Sequence, residues 1–524
     1  MTKKNEIKKF FLIFLSCFIL VSTTGCINQD EKNKVSIKNT LVVGLSSPIF
    51  GFYPWMNSYD TSTLSMNHNI FDTLVEFDEV FHIKASLAES WNNPDNLTWR
   101  FRLRKNVDFH NGYNLTSEDI KYSIDLIKND QYSVLRDLLV GVKEVRIVDN
   151  YTVDIITNNP CPVLLNKLTD IFIVSKKYQE ETLTNLPVGT GAYKFIEYSE
   201  NNYTILERFD NYWRKKPVVK TVKFMLIEDD EERKDALISK EVDIAENILP
   251  LFYDNLSKTP GIKTYLITTP TVYYIGFDFR ENNSSGYKDT INPLSNVKVR
   301  KAIYHAINIS EIIKRVYNTT LFCEPASQFL TPAIFGYNPN ISRLSYDLEK
   351  AKQLLNESGY SNGFDLVMDT ILESYNYLEI CDVIEEQLSK IVNITLNKLP
   401  IDEYYKKCMM RNSSFYITGW IPATGDGGEI YDYLIRTVNT TAGIGTYNSG
   451  YYANPEVDRI GEEITYTMDP EIRLNLMQQG FEIAMNDVAC IPLFSIKALH
   501  GAADYIDWIP SLNTNIKVEN IGFK

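Results

Sequence analysis

Residue types that do chemistry are present in this chain, but their spacing does not assemble them. Five histidines occur, His68, His82, His110, His305 and His500. None forms a His-x-x-x-His pair, and there is no His-Glu-x-x-His, so no zinc site with an adjacent general base is set up. Each histidine therefore reads as a surface group or as a core residue with its hydrogen bonds made. No Gly-x-Ser-x-Gly elbow or phosphate-binding P-loop is found. Gly189-Thr-Gly191-Ala-Tyr-Lys194 opens like a dinucleotide loop but carries Lys194 at its sixth position, and Gly189 and Gly191 are expected to be turn glycines with positive φ. Beyond the N-terminal Cys17 and Cys26, the cysteines are Cys161, Cys323, Cys381, Cys408 and Cys490. They are odd in number, widely spaced and without Cys-x-x-Cys, which excludes a zinc ribbon and a thioredoxin-like site and leaves at least one thiol unpaired, as a small buried hydrophobe. Carboxylates are plentiful, and a hydrolase would have to use Asp426 with Glu429 or Asp432. Nothing else supports that chemistry. The expectation is a binder with no catalytic residues, no metal site and no cofactor.

The composition agrees. A chain of 524 residues corresponds to about three domains or lobes at roughly 150 residues each. With 44% hydrophobic and 23% charged residues it has material for large cores. A formal charge of −14 argues against nucleic acid as a partner, since such proteins present a basic face. Tyrosines (33) outnumber phenylalanines (26), an excess suited to a wet recognition surface.

The N-terminus is organised for export. Lys3, Lys4, Lys8 and Lys9 precede an apolar run from Phe10 to Val21. That run falls short of the roughly 20 residues a membrane span needs and matches a secretory signal. It ends in Thr23-Thr24-Gly25-Cys26, which resembles a lipobox with Thr23 where an aliphatic residue is usual. The expected maturation removes residues 1–25 and lipidates Cys26, leaving 26–39 as a polar tether and anchoring the protein outside the cytoplasmic membrane, in the periplasm or at the cell surface. Losing four lysines and one glutamate takes the formal charge from −14 to −17.

The elements that must position any site are mixed α and β. Leu41–Leu45 is of strand length, and Leu97, Trp99, Phe101 and Leu103 alternate with polar residues as in a half-buried strand. Thr116-Ser-Glu-Asp119 has the spacing of a capping box, opening a helix with Ile120, Ile124 and Ile127 on one face. Strands are predicted at Val145–Ile156, Tyr203–Arg208 and Val222–Ile227. Helices are predicted over Val297–Ile307, after a Ser310 cap, after an Asp347 cap up to Gly359, and from Asn454-Pro455.

Several of these segments are similar to the family 5 extracellular solute-binding proteins of ABC importers, which carry oligopeptides, dipeptides, nickel chelates and some sugars. They are Leu87-Ala-Glu-Ser-Trp91, Asn96–Lys105, Val107-Asp-Phe-His110 and Ser117-Glu-Asp-Ile120, then Gly189-Thr-Gly-Ala-Tyr193 with Ala192 in place of proline, and Asn211-Tyr-Trp213. Tyr273–Asp278, Val299–Ile303, Tyr346–Ala351 and Asn454–Asp458 follow in family order. The resemblance implies a two-lobed α/β fold of the periplasmic-binding type with an extra subdomain and a ligand cleft between the lobes. Lobe one would comprise 40–80, 187–272 and 490–524, the subdomain 81–186 and lobe two 273–489. It also implies a monomer that hands a small solute, foremost a short peptide, to an ABC permease; a nickel-chelate or haem receptor is the alternative.

In peptide-carrying relatives a Gly-Trp segment leads to an aspartate that pairs with the ligand's α-amino group. Gly419-Trp420 and Asp426 occupy that region here, at a longer spacing. Asp426 is expected either to take a ligand ammonium through a charge-assisted bond or to be a turn aspartate between glycines. Trp420 is expected to stack on ligand or pack in its lobe, and Arg436 to meet a ligand carboxylate or a local acid. Tyr451, in a Gly- and Asn-rich loop, and Tyr53, Trp55 and Asp60, which follow the first strand at a sheet edge, complete the candidate ligand-binding set.

Overall fold

Runs rich in β-branched and aromatic residues build one principal sheet, and the alternation along them decides which side is packed. The computed structural model describes residues 39–56, 60–177, 187–282, 284–287, 290–372 and 375–524. The expected signal segment, Cys26, the tether up to residue 38 and Tyr59 lie outside these. The strands of the principal sheet are numbered here β1 (Thr40–Leu45), β2 (Tyr193–Ser199), β3 (Tyr203–Arg208), β4 (Thr221–Leu226), β5 (Ile244–Ile248), β6 (Ile262–Phe277), β7 (Cys323–Pro325), β8 (Asp365–Ile371), β9 (Asn393–Leu399), β10 (Phe415–Trp420) and β11 (Cys490–Ala503). Their order is β9-β8-β10-β6-β11-β5-β1-β4-β3-β2, with β7 also on β11.

The two long strands, β6 and β11, decide the architecture. They pair antiparallel in two blocks, Ile262–Thr268 against Lys497–Ala503 and Val272–Gly276 against Cys490–Ser495. Between the blocks the register shifts, and Pro270 there has no N–H to give a ladder. Thr269 Oγ1 bridges the gap by donating to the Ile496 carbonyl at 2.9 Å. β11 thus leaves the second block at Ser495–Lys497, beyond residue 490, where the motifs place the boundary. Helices pack on both halves. Buried apolar residues form one cluster around β1, β4 and the inserted residues 87–174, and another around β8, β10 and the helices Val297–Ala306 and Tyr375–Leu388. Ala236, Leu237, Val242, Ala245, Ile248 and Leu256 join the second cluster.

The inserted region carries its own four-stranded antiparallel sheet, in the order Ala88–Asp95, Thr98–Leu103, Thr152–Thr157, Val142–Asp149. Trp99, Phe101 and Leu103 are buried on one face, as the alternation predicts, whereas Leu97 precedes the strand and is exposed. The single strand expected over Val145–Ile156 is a hairpin, because Asp149 Oδ1 accepts from the Tyr151 amide at 2.8 Å and turns the chain. Asp347, Asn454 and the Thr116–Asp119 pair cap helices as expected. Ser310 does not: Asn308, two residues earlier, accepts from the Glu311 amide and starts Ile309–Tyr317. Arg233 is almost wholly buried and donates to the carbonyls of Ile227, Glu246 and Asn247, holding together the C-terminal ends of β4 and β5.

Two local expectations need correction. His110 does bond a carbonyl, at 2.9 Å from Gly191 O, but both ring nitrogens of the buried His500 lack a partner among the described residues. Burial, followed by the Arg233 charge, pushes the His500 pKa down to about 4. Gly189 and Gly191 are not positive-φ turn residues. They are glycine because the chain lies against the end of the helix Thr61–Ile70. A Cβ at Gly191 would stand 2.5 Å from the Ile70 carbonyl carbon, in backbone that cannot step aside. Gly191→Ala should therefore lower stability by about 1–3 kcal/mol, read as a shifted urea midpoint with unchanged m-value.

Candidate functional site

The register fixes where a site can form. β5 pairs with β11 so that Ile248 lies opposite Leu499, close to the interruption, and β1 and β4 run parallel to β5's direction. On the other side β10 pairs Trp420 with Val272, also at the interruption, and β8 and β9 run parallel to β10. The C-terminal ends of both groups of strands therefore face one another across the gap in β6 and β11, which is where open α/β sheets bind ligands.

The loop leaving β10 reaches across this gap. Glu429 pins it by accepting from the amides of Ala423 (3.1 Å) and Thr424 (2.8 Å). From the inserted region, Asn166 Nδ2 donates to the Thr424 carbonyl at 2.8 Å, and Phe77 and Phe81 pack beside Gly425, whose φ of +66° suits glycine. Asp170, half-buried, follows on the same segment as Asn166. Its carboxyl is pushed up to about 7 by desolvation and then by the Glu429 charge, with Lys517 opposing. Burial also raises Glu429. The Glu429 charge disfavours ionisation of Asp170, which favours a proton or a cation beside the pair.

Trp420 sits half-buried at the end of β10, in an aromatic cluster with Tyr433 (centroids 5.9 Å apart) and Tyr447 (5.1 Å). Its indole N–H is buried and without a partner among the described residues. Tyr433 is raised to about 12 by desolvation first, then by Glu429, Asp432 and Asp137, the last from the inserted region.

The other expected residues are placed less directly. Asp426 is engaged by Arg473 in a bidentate pair at 2.6 and 2.7 Å, both side chains only 5% exposed. It also accepts from the Gly428 amide at 2.8 Å, so its oxygens serve the loop. Arg436 meets the local acid, Asp432, at 3.0 Å. Tyr451 lies under the guanidinium groups of Arg280 (4.5 Å) and Arg411 (5.4 Å), near Asp278 at the end of β6 remote from the gap. Trp55 is buried and donates to Asp130 at 3.0 Å, fastening the loop after β1 to the inserted region, and Tyr53 packs on Trp55. Asp60 caps the helix Thr61–Ile70 by accepting from the Thr63 amide at 2.9 Å. Of the set, Trp420 stands at the end of β10 beside the gap with an indole N–H that has no partner among the described residues, and Arg436 Nε is likewise buried without one. Asn166, Asp170 and Arg473 were not anticipated, and no local spacing marks them.

Facing strand ends, a loop that bridges them and a two-block pair of crossing strands define a two-lobed α/β binding protein. The chain belongs to the bacterial extracellular solute-binding proteins of family 5: the description "Bacterial extracellular solute-binding proteins, family 5 Middle" matches residues 82–441. Heme-binding protein A of Haemophilus influenzae is 27% identical over 520 residues, covering 92% of this chain and 91% of that protein. The dipeptide-binding protein of Escherichia coli is 26% identical over 474 residues, covering 84% and 86%. Among solved structures, HbpA2 from Haemophilus parasuis superposes with a TM-score of 0.82 at 23% identity, covering 93% of this chain and all of that one. No described helix is long and apolar enough to cross a membrane.

Two tests follow from this geometry. Asp426→Ala should cost about 3–5 kcal/mol by stranding a buried guanidinium, and Asp426→Ala with Arg473→Met should recover part of the loss, in chemical denaturation. Asp170 has a folded pKa above its unfolded value, so the wild type gains stability as pH falls from about 7 towards 4. Asp170→Asn should therefore raise the melting temperature most above pH 7, with the difference shrinking as pH falls through that window.

Proposed function

We propose that this protein is the substrate-binding lipoprotein of an ABC importer, a monomer that captures a short peptide in the gap between its strand ends and delivers it to a membrane permease. The observation that carries the reading is the opposition of two sets of C-terminal strand ends across the break between Thr268 and Val272 in the crossing strands. Residues 40–80, 187–272 and the C-terminal segment would form lobe one, 81–186 its subdomain and 273–489 most of lobe two. The crossings would be Thr269–Thr271 and Ile496, where the ladder is already broken and bending costs few hydrogen bonds. Lipid on Cys26 would hold the protein at the outer face of the membrane. Membership of the solute-binding family and the likeness to a dipeptide-binding protein support the reading. The Asp170–Glu429 pair supplies negative charge suited to a ligand ammonium, and Trp420 with Tyr433 and Tyr447 a surface on which a peptide can lie.

Native mass spectrometry of freshly purified protein, followed by thermal shift with tripeptides, nickel–histidine and haem, tests this directly. A bound mass that fits a peptide, with stabilisation of about 2.7 kcal/mol at a hundredfold excess over Kd, is expected. Stabilisation by haem or nickel–histidine alone would replace the peptide. Cys26→Ala should release the protein from the membrane fraction.

A further inference from the structure

The strand ends that face the gap share a property that the fold does not require. Within five residues of the ends of β1, β5, β8, β9 and β10 stand Phe50, Leu249 with Leu251, Leu372, Ile401 and Ile421. All six are large and apolar, and all are between 38% and 70% exposed. Single exposed apolar residues are ordinary on a protein surface. These six come from five strands of two opposed groups, and the register brings those strands to one gap. None of the six is among the buried residues that fill the interior of either half. None of their side chains can donate or accept a hydrogen bond, although these are the positions from which a sugar or a second carboxylate would be read.

We propose that the cleft selects short peptides bearing bulky apolar side chains, taking those side chains against Leu372, Ile401 and Ile421 on one wall and Phe50, Leu249 and Leu251 on the other. This rests on the peptide-receptor reading above. Charge agrees with this occupant: Glu429 lies on the loop that reaches across the gap and Asp170 on the segment whose Asn166 bonds that loop, so a free ammonium is accommodated and an acidic peptide is not. Closure would bury apolar surface from both walls at once, and each added side-chain methylene strengthens binding by a factor that a polar peptide cannot obtain.

Isothermal titration with trileucine, trialanine and triglutamate at pH 7 decides the matter. Trileucine is expected to bind at least about tenfold more tightly than trialanine, and triglutamate most weakly. Ile421→Asn and Leu372→Asn, at exposed positions, should weaken trileucine several-fold and leave trialanine nearly unchanged. Equal affinities for trileucine and trialanine, or a preference for triglutamate, overturn the apolar selection while leaving a peptide receptor. Variants that weaken both peptides alike overturn the assignment of the wall. Failure of every tripeptide to bind overturns the peptide reading itself, and this inference with it.

Discussion

The interrupted pairing of β6 with β11 is the constraint from which the rest of the molecule follows. A continuous ladder across all sixteen residues of β6 would have made one rigid sheet with no site at its centre. Pro270 and the register shift divide it into two blocks that still share both chains. Each block then recruits its neighbours by ordinary strand pairing, and the parallel direction of those neighbours turns their C-terminal ends toward the break. A binding gap is thus a consequence of sheet polarity, and bending at the break disturbs little hydrogen bonding because little is made there.

The loop after β10 shows how a charged residue in a binding region can serve structure. Asp426 and Arg473 are both nearly buried and bonded to each other twice. A carboxylate already neutralised in this way has little left for a ligand ammonium. Asp170 is in the opposite situation, with its carboxyl raised by burial and by Glu429. The electrostatic opportunity therefore lies with the acid that has no arginine.

Much of the architecture was legible in local chemistry. The alternation through Trp99, Phe101 and Leu103 and the caps at Asp347 and Asn454 correspond to observed elements, because each depends on interactions within a few residues or on one face of one element. Errors arose where a distant neighbour took over. Gly189 and Gly191 look like turn glycines, yet the pressure on them comes from Ile70. Tyr451 sits in a loop near the candidate site in sequence, but Arg280 and Arg411 hold it at the far end of β6.

By itself, then, the sequence determined an acidic α/β protein of the extracellular solute-binding family. Periodicity, caps and charge are properties of short stretches, and they survive without knowledge of what packs where. Only the tertiary structure decided that Asp426 is neutralised by Arg473, 47 residues away, and that Asn166 reaches Thr424, 258 residues away. It also decided that the C-terminal ends of two groups of parallel strands face the break in β6 and β11. Those pairings depend on how two halves of a sheet are brought together, and nothing in the local spacing of either partner records the other.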